Sequence, residues 1–307
     1  MPTLITHATP PPGITSFPAL PHLTALLRLL TATQRQSGSE DSLSPLHELL
    51  RAQALGLQGQ DGLLPWAALQ AHSLQLPAAA AGEGWAWLTP CHWQANADHV
   101  RMADPADSQI SAEESQQVMD ALRAFMAEDG IALHGLQGGH WLALGAAFHQ
   151  LPTASLARAA GGAVDHWLPR QPQAQVLRKL QNELQMLLYA HPLNDARAAR
   201  GLLPINSFWV SGTGSLAEDF DAAQDDASKV LDALSGLDAE AWAQAWQALD
   251  SGPIRALLEQ ARRGEPVTLT LCGEAAAQTF TLQAQGLWTR LRNRLGATDL
   301  PALLQSL

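Results

Sequence analysis

The sequence predicts an α/β fold, a mixed sheet with flanking helices. Two observations carry this. Short runs rich in β-branched and aromatic residues alternate with segments whose leucines repeat at helical spacing. The chain has 307 residues, and 47% of them are hydrophobic, enough for a sizeable core. Gly161-Gly162 reads as a break. It divides the chain into lobes 1–160 and 161–307, unless both belong to one domain.

Residues 3–6 read as a first strand and 10–13 as a loop. Leu23, Leu26, Leu27 and Leu30 mark a helix that frays through 34–38, with a polar loop over 37–42. Leu46, Leu49 and Leu50 mark a second helix, with Ser42 or Ser44 as its cap. A turn region at 56–62 precedes a third helix over 63–74. Residues 78–84 are small and flexible. Over 85–93 a strand alternates Trp85, Trp87, Cys91 and Trp93 onto one face, and 99–102 forms another strand. Ser111-Ala112-Glu113-Glu114 is a capping box. The helix it starts carries Val118, Leu122, Phe125 and Met126 and stops at Gly130. Residues 131–133 and 141–144 read as a hairpin about Gly138-Gly139.

Leu177, Leu180, Leu184, Leu187 and Leu188 form the stripe of a long helix, with Arg178, Asn182, Gln185 and Tyr189 on its polar face. It ends at His191, because a residue before proline disfavours helix. Pro192 suits the first position of a short second helix that Gly201 stops. A strand over 206–210 follows, then a flexible loop over 211–215 with free backbone N–H groups. Residues 216–226 are acidic, and a helix beyond them holds Val230, Leu231 and Leu234. Trp242 and Trp246 share a later helix; Pro253 opens the next, which ends at Gly264. Residues 267–272 and 280–282 read as paired strands. A last helix over 287–295 carries Arg290, Arg292 and Arg294.

Composition narrows the function. The net charge is −11 and the pI about 5.4, so nucleic acid and anionic membrane are not expected as partners. Cys91 and Cys272 read as free thiols in a reducing compartment. No signal-peptide pattern is present, and no apolar run approaches the roughly 18 residues of a membrane span, which points to the cytoplasm. There is no P-loop, HExxH, CxxC or GxSxG.

The densest run of polar residues that burial does not require spans 182–214. Within it, His191-Pro192-x-Asn194-x-x-Arg197-x-x-x-Gly201-x-x-x-x-Asn206-x-x-Trp209-x-x-Gly212-x-Gly214 resembles a segment of the archaeal-type, cofactor-independent phosphoglycerate mutases. Those enzymes belong to the alkaline phosphatase superfamily. The pattern is more similar still to bacterial proteins of unknown function labelled as phosphoglycerate mutase-like. Leu88-Thr89-Pro90-Cys91-His92 through Asp98-His99-Val100-Arg101 is similar to the same bacterial group. The resemblance implies two divalent metals held by Asp and His, with a Ser or Thr near an N-terminal Asp. Here the first acidic residue is Glu40 and the last histidine is His191. Those ligands are missing, so no metal and no cofactor is expected.

The candidate ligand site is His191, Asn194, Arg197 and Asn206 with the loop at Gly212 and Gly214. Arg197 would fork onto a carboxylate or phosphate while the amides and loop N–H groups add hydrogen bonds. The competing reading is architectural: the same residues tie a helix–helix corner to a strand, with Arg197 bonded to helix-end carbonyls. Gly212-x-Gly214-x-x-Ala217 also matches a relaxed dinucleotide fingerprint, but Glu218, Asp219 and Asp221 would repel a pyrophosphate. Asp98, His99 and Arg101 are a secondary candidate. His92, Asp98 and His99 fit no common metal spacing and read better as a hydrogen-bonded group. His134, His140 and His149 read as structural or surface residues.

The function expected is a phosphoglycerate-mutase-like protein without two-metal chemistry, binding a small anion in a regulatory role. The alternatives are a residual metal-dependent mutase or phosphotransfer enzyme, and a protein-interaction scaffold. A protein partner or a second copy of the chain stays open.

Overall fold

The structure is a computed structural model that describes residues 3–11, 14, 17–76, 83–105, 107–136, 140–217, 220, 239–283 and 299–307. Along the chain come β1 (Thr3–His7), α1 (Pro21–Leu29), β2 (Thr31–Ser37) and α2 (Leu46–Ala54). They are followed by α3 (Trp66–Ser73), β3 (Trp85–Cys91), β4 (Trp93–Ala95), β5 (Val100–Met102) and α4 (Ala112–Glu128). Next are β6 (Ala132–Gly135), β7 (Trp141–Leu144), α5 (Leu156–Ala159), α6 (Gln175–Tyr189), α7 (Pro192–Ala199) and β8 (Ser207–Gly214). The last are α8 (Ala239–Leu249), α9 (Arg255–Arg262), β9 (Thr268–Cys272), β10 (Ala276–Thr281) and α10 (Leu300–Gln305).

Contacts divide the chain into two compact units. One comprises Met1–Asp41, Pro45–Leu55 and Asp221–Leu307; the other Ser42–Ser44 and Gly56–Phe220. Gly161 and Gly162 lie inside the second unit. They form a turn after α5: Gly161 has φ 68°, and the Gly162 carbonyl accepts from the Met102 N–H at 3.0 Å.

The first unit is built on a mixed sheet of order β1-β9-β10-β2, with β1 parallel to β9 and the other pairs antiparallel. Successive strand residues point to opposite faces. Leu4 and Leu271 therefore pack with Leu23, Leu26, Trp242, Trp246 and Leu258, while Ile5 and Cys272 pack with Leu46 and Leu50. With helices on both faces, β9 is buried at every residue. Residues 34–37 are strand and not frayed helix. The leucine stripe stops at Leu30, and β2 pairs with β10 through its backbone whatever its polar side chains. Pro253 does not open a helix but lies within a π-helical turn, Asp250–Ile254, between α8 and α9. Asp250 is buried there and caps α1: Oδ1 accepts from the Leu23 N–H at 2.7 Å, and Oδ2 from the His22 N–H at 3.2 Å. His22 Nδ1 lies 2.8 Å from Oδ2. Leu20, the local cap residue, offers no side-chain acceptor.

The second unit holds an antiparallel sheet of order β6-β7-β3-β8 and a separate β4–β5 hairpin. Leu88, Trp141, Phe208 and Val210 face α4 and α6 through Val118, Leu122, Leu177 and Leu184. On the opposite side, Cys91 and Trp209 pack with Met102, Ala154 and Val164. Trp87 reaches α3, its Nε1 donating to Gln70 Oε1 at 2.5 Å. The β6–β7 hairpin forms as expected, and its Gly138-Gly139 turn lies outside the described residues, as do the helices expected beyond 226 and over 287–295. Phe125 turns off the buried stripe of α4, where Met119 stands instead.

Ser44 does not cap α2; its Oγ accepts from the Gly62 N–H at 3.0 Å, and the helix begins after Pro45 with no side-chain cap. Both cysteines are free and buried, and burial pushes the Cys272 thiol up to about 12. Among the described residues no helix is long and apolar enough to cross a membrane.

Candidate functional site

The polar stretch singled out in the sequence folds into a corner between α6, α7 and β8. A helix end leaves carbonyls without intrahelical partners. Asn194 meets one of them: Nδ2 donates to the Leu188 carbonyl of α6 at 3.0 Å and to the Ile205 carbonyl at 2.9 Å. Its Oδ1 accepts from the Ile205 N–H at 2.9 Å. One carboxamide thus fastens the end of α6 to the segment entering β8. His191 caps α7, its Nδ1 accepting from the Leu193 N–H at 3.2 Å, and Pro192 takes the first helical position. Gly201, at φ 72°, ends the turn.

Arg197 lies at the centre and is wholly buried. Nε donates to the Leu203 carbonyl at 2.8 Å, Nη1 to Glu114 Oε2 at 2.6 Å, and Nη2 to the Ser108 carbonyl. Glu114 belongs to the capping box of α4. Its backbone N–H donates to Ser111 Oγ at 3.1 Å, and its Oε2 accepts from the Ser111 N–H at 3.0 Å. Arg200 Nη2 bonds its other oxygen, Oε1. The single carboxylate is therefore shared by one helix cap and two guanidinium groups. Burial alone would raise its pKa. The Ser111 N–H, Arg200 and Arg197 together outweigh burial and hold it below the ordinary carboxylate range.

The other expected site residues are also engaged within the protein. Asn206 Oδ1 accepts from the Trp93 N–H at 2.7 Å, and its Nδ2 donates to the Trp93 carbonyl at 2.8 Å, which joins β4 to the entrance of β8. Gly212 and Gly214 lie in β8 and not in a loop over 211–215; Ser211 and Thr213 between and beside them are buried. Gly212 has φ 63°, and a Cβ there would come within 2.8 Å of the Trp87 ring. Glycine is needed for close packing on both counts. Asp98 and His99 form an exposed pair, Oδ1 to Nδ1 at 2.7 Å, with Asn96 Nδ2 at 3.2 Å from His99 Nε2. Arg101 is exposed on β5, where its backbone bridges Ala163. His92 is drawn away, its Nδ1 donating to the Pro204 carbonyl at 2.9 Å.

Among the described residues, no three His, Cys, Asp or Glu side chains gather as a metal ion requires. The described residues do not fit the two-metal set that the resemblance implies. Glu114 and Ser108 were not singled out by the sequence as partners of Arg197, nor was Arg200 as a second arginine on Glu114. The capping box flagged Glu114 for its helix, and nothing local flagged a partner 83 positions away.

No family model matches the chain. It is weakly similar to curated 2,3-bisphosphoglycerate-independent phosphoglycerate mutases. One, from Methanosarcina barkeri, is 28% identical over 123 residues, covering 38% of this chain and 30% of the relative. One from Methanosarcina mazei is 27% identical over 122 residues, with the same coverage. The similarity thus spans about 30% of the length of these relatives. Among solved structures, the cofactor-independent phosphoglycerate mutase from Thermoplasma acidophilum aligns at 13% identity with a TM-score of 0.38, over 93% of this chain and 90% of that one. The PH0037 protein from Pyrococcus horikoshii aligns at 12% identity with a TM-score of 0.47, over 99% and 95%.

Proposed function

We propose that this protein is a phosphoglycerate-mutase-like binding protein that takes a small anion without two-metal catalysis. The observation that carries this reading is the state of Arg197. The guanidinium that the resemblance would aim at a substrate is buried and matched by Glu114 and two backbone carbonyls. A ligand phosphate would have to displace a carboxylate already held by two arginines. In this reading the HPxNxxR motif is framework, and the ligand binds elsewhere on the chain in a sensing or regulatory role.

The test is a mutase assay on the purified protein, with 3-phosphoglycerate followed by ³¹P NMR in the presence of Mn²⁺ or Mg²⁺. The expected result is no 2-phosphoglycerate, and no divalent metal retained after gel filtration. Metal-dependent interconversion, or one or two tightly held divalent ions per chain, would overturn the reading.

A further inference from the structure

β8 is one of the two outer strands of the second unit's sheet, and α6 packs against it. Between them is a cleft lined chiefly by Leu168, Leu177, Arg178, Gln181, Trp209 and Val210. Its free volume is about 40 Å³. On that scale a single water needs roughly 10–15 Å³, so there is room for a small branched apolar group. The lining is largely apolar, with two polar side chains.

Gln181 is buried, and its Nε2 donates to the Phe208 carbonyl at 3.2 Å. That bond fixes which end of the carboxamide is nitrogen. Oε1 is left as an acceptor and bonds to none of the described residues. Arg178 is exposed, with Nη1 on the Pro169 carbonyl at 3.2 Å. It makes no ion pair among the described residues. The cation beside it, Lys179, is paired with Asp129 at 2.9 Å, and Arg197 and Arg200 are both held by Glu114.

We infer that this cleft binds a short, branched aliphatic acid bearing a hydrogen-bond donor next to its carboxylate. The branch packs on Leu168, Leu177 and Val210. The donor meets Gln181 Oε1, and the carboxylate meets the free edge of the Arg178 guanidinium. This deepens the small-anion reading given above and rests on it.

The probe is 2-hydroxyisocaproate, with isocaproate as the analogue lacking the donor, read by saturation-transfer NMR and calorimetry on the full chain. The expected result is saturable binding of the hydroxy acid and markedly weaker binding of isocaproate. Arg178→Gln, a surface change, should weaken binding about tenfold or more. Ala174 also lines the cleft, and Ala174→Leu, which fills it, should abolish binding. Absence of saturable binding, or binding unaltered in both variants, would overturn the inference. Equal binding of isocaproate would overturn the part assigned to Gln181. The mutase assay is independent: failure here with no mutase activity leaves the non-catalytic reading standing, and mutase activity sinks that reading whatever the cleft binds.

Discussion

Arg197 and Arg178 belong to the same unit and stand on consecutive helices, yet the protein uses them in opposite ways. Arg197 is buried, with every nitrogen of its guanidinium matched by an acceptor fixed in the fold. Arg178 lies at the surface beside a cleft, with the Pro169 carbonyl as its partner and no carboxylate partner among the described residues. A charge is expensive to bury and so is placed only where its partners are complete. In the reading proposed above, the same completeness leaves it nothing for a ligand. A guanidinium in a recognisable motif can thus serve the fold, while an arginine outside any motif has nitrogens not matched by the described residues.

The contrast can be broken most directly at the buried end. Arg197→Ala leaves Glu114 without its buried partner and should cost about 3–5 kcal/mol in urea denaturation. A loss under about 1 kcal/mol, the level of a surface pair, would remove the framework role. Gly212→Ala comes next, because φ 63° and the Trp87 ring both oppose a Cβ. It should destabilise by more than about 1 kcal/mol, visible as a lower melting temperature, and an unchanged value would mean that β8 has slack at that position.

The pH dependence sharpens the same point. The folded-state pKa of Glu114 is depressed. Its stabilisation is therefore fully present above the unfolded carboxylate value of about 4.3, and is lost as pH falls through the lower folded-state value. Stability curves for the wild type and Glu114→Gln should differ most above that window and converge below it. Curves that stay parallel through acid would show that the carboxylate charge is not what matters. The smallest effect belongs to the exposed end. Arg178→Ala should change stability by no more than about 0.5 kcal/mol, and a larger loss in the same urea experiment would make it framework too.

Much of this fold was legible because its signals are local. The capping box at Ser111 and Glu114, the leucine stripe of α6, and Pro192 with Gly201 around α7 each act within a few residues, and all formed. The misreadings came where tertiary structure decides. β2 is polar along its length and has no apolar period to betray a strand; its partner β10 supplies the order from the other end of the chain. Ser211 to Gly214 look like a loop by composition, yet Trp87, Trp66 and Pro65 pack on the glycines and keep them in β8. At the corner, the residue types were visible but their partners were not. Arg197 finds Glu114 across 83 positions, and no periodicity records such a pairing. Gln181 read as neither core nor site, because its buried carboxamide matters only once α6 is laid against β8.

The cap that Asp250 gives to α1 has a consequence for the order of events during synthesis. His22 and Asp250 are 228 positions apart, and β1 pairs in parallel with β9, from Thr3↔Thr268 to His7↔Cys272. On the ribosome β1 and α1 emerge before the second unit, but the carboxylate and the neighbouring strand that complete them emerge only after it. The second unit, continuous from Gly56 to Phe220, has all its strands in hand well before then. Domains form as their chains become available, so the unit whose segments flank the other is the one that finishes folding second. Until then, the apolar faces of β1 and α1 lack the strand and helices that cover them in the finished unit.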